Sequence, residues 1–211
     1  MTSNAMLALD HLVYAVRDLD EGIERIGAVL GVRPASGGRH PAWGTRNALL
    51  ALGPRSYLEV VAPDPAAAAH GPHPFGVDDP RTPFLSTWAV ATEDIGRATG
   101  DASRAGVDLG AIQSGSRRRD DGVLLAWRLT DPTTPRHDGL VPFLIEWGST
   151  PHPAATAPGG CRLRSLEGQH PDAERLGSML QRAGVDLHLR AGPAPALVAT
   201  IESPRGLVEL R

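Results

Sequence analysis

The chain has 211 residues, of which 41% are hydrophobic and 21% charged, with a formal net charge of −3 and a pI near 6.2. These values describe a folded chain long enough to bury a core, and they offer no general attraction to nucleic acid or an anionic membrane. A single cysteine, Cys161, excludes an intrachain disulfide and a thiolate metal cluster. All 21 basic residues are arginine, which excludes Schiff-base and P-loop lysine chemistry. No secretory leader and no apolar run of membrane-spanning length is visible, so a soluble, cytoplasmic protein is expected.

In chain order, residues 7–16 read as a strand rich in β-branched and aromatic residues. Asp18 and Glu21 form a capping-box pattern, and Leu19, Ile23, Ile26 and Leu30 repeat at helical spacing. A Gly/Pro-rich loop then leads to strands at 47–52 and 56–62. The same order recurs: strand 84–91, helix 94–105, strands 123–130 and 141–147. A shorter third unit reads as strand 162–167, helix 172–183 and strands 187–190, 196–202 and 207–210. Pro63–Pro83 and Gly148–Gly160 read as linkers, too broken to be core elements. The run Arg117–Arg119, followed at once by Asp120 and Asp121, reads as a solvated turn.

Repetition supports this division. Arg-Ala-Gly-Val-Asp-Leu occurs at 104–109 and again at 182–187, with a weaker copy at Leu30-Gly31-Val32. In each place a helical pattern ends at a glycine suited to the left-handed conformation, and a valine begins extended chain. The expected architecture is α+β: βαβββ modules at 7–63 and 84–148 forming one cupped, eight-stranded mixed sheet, and a third, shorter module at 161–211. With no partner module in the chain, the third is expected to cover its sheet edge against a neighbour, and a homodimer is one way to do so.

Three ionisable residues interrupt apolar strands: His11, Glu59 and Glu146. Alternation puts Glu59 on one face with Tyr57 and Val61, and Glu146 on one face with Leu144. An unpaired carboxylate enclosed there costs several kcal/mol or takes up a proton (roughly 2–7 kcal/mol for a lone polar group). A metal ion or a buried arginine relieves that cost; a solvated sheet face removes it.

His11 on a first strand and Glu on last strands resemble the vicinal oxygen chelate superfamily. Closer still, Leu9-Asp10-His11-Leu12-Val13, Gly38-Arg39-His40-Pro41 with Gly44-Thr45-Arg46-Asn47, Tyr57-Leu58-Glu59 and Pro142–Trp147 are similar to its glyoxalase-like subgroup. The resemblance implies a small-molecule enzyme of lyase, isomerase or dioxygenase type, with a metal-free ligand-binding protein as the alternative. It implies a divalent metal (Zn, Ni, Mn or Fe) on His11, Glu59 and Glu146. Glu146 and His40 are then the catalytic candidates, and Arg46, Asn47 and Tyr57 the substrate-binding ones, Arg46 clamping a carboxylate. The first strand of the second unit, Leu85-Ser86-Thr87-Trp88, supplies no fourth metal ligand. His152 and the remaining histidines lie beside prolines or in loops and are expected to be structural.

Overall fold

A computed structural model describes residues 7–68, 72–118 and 122–211. The first unit comprises β1 (Ala8–Ala15), α1 (Leu19–Leu30), β2 (Ala35–His40), β3 (Thr45–Gly53) and β4 (Ser56–Pro63). The second comprises β5 (Phe84–Ala91), α2 (Ile95–Arg104), β6 (Ile112–Arg118), β7 (Leu124–Thr130) and β8 (Phe143–Glu146). The third comprises β9 (Arg162–His170), α3 (Ala173–Arg182), β10 (His188–Ala191), β11 (Ala196–Ser203) and β12 (Gly206–Leu210). Asp18 caps α1, its Oδ1 accepting from the amides of Asp20 and Glu21. The repeated glycines Gly31, Gly106 and Gly184 take φ of 77°, 81° and 76°, and so stop the three helices alike.

The first two units form one eight-stranded sheet in the order β2-β3-β4-β1-β5-β8-β7-β6. In each unit the first strand pairs in parallel with the last, and β1 runs antiparallel to β5 at the join. The sheet curls into a cup whose end strands β2 and β6 come to lie side by side. Both of its faces are covered. Val13, Leu49, Tyr57, Val61, Leu125, Trp127, Phe143 and Ile145 fill the inside of the cup. Leu12, Tyr14, Leu50, Leu58, Val60, Trp88 and Leu144 face outward, into a second core shared with the helices.

Three expectations change. The third unit does have a partner within the chain: Leu197, Ala199, Ile201 and Leu210 of its sheet join the outer core, so it packs face-on rather than by an edge. Its sheet order, β10-β9-β11-β12, also differs from that of the other two, because β9 pairs in parallel with β10, the strand that follows α3. The linkers are not outside the core. Pro74–Gly76 forms a 3₁₀ turn that buries Phe75, and Pro153–Ala155 forms another, beside buried His152. Arg117, assigned to a solvated turn, lies on β6 and is buried; Asp120 and Asp121 lie outside the described residues.

Candidate functional site

The site begins with an irregularity in β1. Leu9 opposes Val90 and His11 opposes Ala89, so one extra residue, Asp10, is inserted against β5. Such a bulge re-aims side chains, and here both Asp10 and His11 meet residues of the cup. Asp10 Oδ1 lies 2.6 Å from His11 Nδ1. Its Oδ2 accepts from Trp147 Nε1 at 3.0 Å and lies 3.1 Å from His152 Nε2. Burial works to raise the Asp10 carboxyl, but the hydrogen bonds and charges of His11 and His152 outweigh it and take the pKa down to about 2. Asp10 is therefore a fixed anion. It holds the proton on His11 Nδ1, which leaves Nε2 to face the cavity.

His11 Nε2 stands 3.6 Å from Glu59 Oε2, too far for a direct hydrogen bond. The other oxygen, Oε1, accepts from Asn47 Nδ2 at 2.6 Å. Asn47 thus orients Glu59, and the Tyr57 ring stacks on His11 with centroids 4.6 Å apart. Burial, then the charges of Asp10 and Glu59, push the Tyr57 phenol well above its ordinary range, so it stays protonated. His40 lines the same cavity, with Nδ1 3.2 Å from Thr45 Oγ1 and its ring edge-on to Trp43 and Trp127. Burial lowers its pKa, Glu59 opposes and Arg117 assists, so His40 is held neutral.

Trp43 and Phe75, ring centroids 5.9 Å apart, close over this end of the cup. Phe75 has φ of 65°, uncommon for a bulky side chain, and packs against Phe143 inside. The remaining cavity is about 30 Å³, room for about one or two waters.

The profile of the glyoxalase-like domain family matches residues 9–184. The chain belongs to the glyoxalase-like domain family. No curated protein matches it. A hypothetical protein from Staphylococcus aureus shares the fold at a TM-score of 0.69 with 16% identity, over 90% of this chain and 88% of that one. Methylmalonyl-CoA epimerase from Mycobacterium tuberculosis matches at a TM-score of 0.45 with 21% identity, over 74% of this chain and 97% of that one. A Streptomyces coelicolor methylmalonyl-CoA epimerase variant in complex with 2-nitronate-propionyl-CoA gives 0.45 and 19%, over 71% and 100%.

Within this glyoxalase-like cup the expected site residues divide. His11, Glu59, His40, Asn47 and Tyr57 line one cavity. Glu146 does not join them. On β8, Phe143 and Ile145 turn inward while Leu144 faces the helices, so Glu146 lies on the outer face and pairs with Arg128 of β7. Arg46 is also on the outer face, near Asp18 and Asp20 at the start of α1. The expected metal set is therefore not assembled. Inside the cup, His11 and Glu59 face Ala89, Phe143 and Ile145 from the second unit, none of which can ligate a metal. Among the described residues no group of three or more His, Cys, Asp or Glu side chains is placed to hold a metal ion. His11, Glu59 and His40 are the His and carboxylate side chains that line the cup cavity itself.

Asp10, Trp147, Arg117 and His152 are site residues that the strand pattern did not single out. His152, expected to be structural, is buried and reaches Asp10 from the second linker. The adjacency of Asp10 and His11 was the one available signal. It is invisible under strict alternation, which places neighbouring residues on opposite faces.

Proposed function

We propose that this glyoxalase-like protein is a small-molecule enzyme, of lyase or isomerase type, that transfers a proton inside the cup without a resident metal. The carrying observation is the Asp10–His11–Glu59 line. An anion fixes one nitrogen of His11 while the other faces a carboxylate oxygen at 3.6 Å. Two proton acceptors at that separation call for a proton or a polar guest between them. A carbon or oxygen acid of the substrate, seated there, gives its proton to His11 Nε2 or Glu59, and the imidazolium that forms is stabilised by Asp10. Tyr57 and neutral His40 are then hydrogen-bond donors for charge that develops on the substrate oxygen. Parting of Trp43 and Phe75 admits the substrate, and their return excludes water.

The test is exchange of carbon-bound protons with D2O, followed by NMR over a panel of 2-oxo acids and thioesters, with metal content measured on the same protein. We expect exchange with substoichiometric metal, unaffected by chelator, and a loss of about 10²–10⁴-fold in His11→Gln, the range for a positioned acid or base. Exchange that survives His11→Gln overturns the role of His11. Stoichiometric metal whose removal abolishes exchange restores the metal-dependent alternative.

A further inference from the structure

Strands β2 and β6 are the two ends of the hydrogen-bonded order, and a cleft of about 560 Å³ opens beside them. Its lining includes Arg39, Arg46, Arg117 and Asp20. Arg39 and Arg46 are directly opposed across β2 and β3, an arrangement of like charges that costs stability. Asp64 answers Arg39 with contacts of 2.5 and 2.6 Å from both oxygens to one guanidinium nitrogen. Arg46 is not answered so well. Its Nη2 is 3.5 Å from Asp20 and 3.8 Å from Asp18, and its Nε is buried without a hydrogen-bond partner. The Asp20 side chain is 77% exposed, and an Asp18 oxygen already caps the helix. A fork of donors held this way is under-satisfied.

From the opposite edge Arg117 crosses over Gly38, where an added Cβ would stand 3.2 Å from both its Cδ and its Nη1. Arg117 and Asn47 line both the cleft and the cup. We infer that this cleft is a binding site for a carboxylate or phosphate group, held by Arg46 with Arg39 and Arg117 alongside. An anion replaces the distant Asp20 and lets the Arg46 guanidinium turn and donate two parallel hydrogen bonds, the arrangement its planar fork favours. A molecule anchored there extends past Asn47 toward Glu59. The inference deepens the proposed function by giving the substrate an anionic end, but its test needs no turnover.

The test is isothermal titration at low ionic strength with sodium phosphate and, separately, sodium malonate. Saturable binding of either is expected; the stronger one tells whether the group is a phosphate or a carboxylate. Arg46→Gln should weaken binding by about tenfold or more, as loss of a charge-assisted pair does. Asp20→Asn, at an exposed site, should tighten it by removing the competing carboxylate. His11→Gln should leave it unchanged, which separates this site from the proton-transfer chemistry. Absence of saturable binding for both anions, or binding to Arg46→Gln as strong as to wild type, overturns the inference.

Discussion

Asp10 and Glu146 are both carboxylates near the end of a strand, and their surroundings give them opposite weights. Asp10 is enclosed and takes donors from three side chains. Its folded pKa of about 2 lies below the ordinary 3.8. The stability it contributes is therefore complete above the ordinary value and is lost as the pH falls from there through about 2. The shift corresponds to about 2 kcal/mol, so acid unfolding should steepen in that window. In Asp10→Asn the same melting-temperature profile should be flatter, lower than wild type above the ordinary carboxyl range and converging with it as the pH falls toward about 2, because His11, Trp147 and His152 lose a charged acceptor. Glu146 instead pairs with half-exposed Arg128 on the outer face. Glu146→Gln should change stability by no more than about 1 kcal/mol, the scale of a surface pair, and a chelator should not alter its melting temperature relative to wild type. The alternation of β8 was legible, including the shared face of Glu146 and Leu144. Which face looks into the cup was not, because a curled sheet packed on both sides surrounds both sets of side chains with apolar neighbours.

The helices were the most legible elements, since caps and stops are local chemistry: Asp18 before α1, and glycines after each repeated segment. Gly106 gives the cleanest test, because an added Cβ meets nothing within 4 Å, yet φ is 81°. Gly106→Ala should therefore destabilise by about 1–2 kcal/mol through backbone conformation alone, measured by denaturant midpoint with an unchanged slope. The end strands β2 and β6 carry little sequence signal for a related reason. Ala35–His40 and Ile112–Arg118 are rich in Ser and Gly, residues of low strand propensity, and each pairs with only one neighbour. Their pairing is imposed by β3 and β7. With them went the cleft that they flank and the burial of Arg117. Phe75 and His152 were likewise hidden in segments whose composition reads as linker, because the path that folds them over the cup is set by distant strands.

At the scale of the molecule, the third unit completes a core rather than adding a separate body. Its apolar residues share one core with Leu12, Tyr14 and Leu50 from the outer face of the cup, so the big sheet lies between two cores. Removing residues 161–211 should expose that face. The shortened chain should lose its cooperative melt or bind a hydrophobic dye, and a truncation that melts like the full chain would mean that the units are independent. The arrangement also distributes the four tryptophans unequally. Trp43, Trp127 and Trp147 ring the cavity, while Trp88 sits in the outer core with its indole bonded to the Leu140 carbonyl. The protein thus carries its own optical gauge. Emission from three indoles should shift and quench when a guest parts Trp43 from Phe75, over a constant background from Trp88. Occupancy of the cup is then readable by intrinsic fluorescence before any product has been identified.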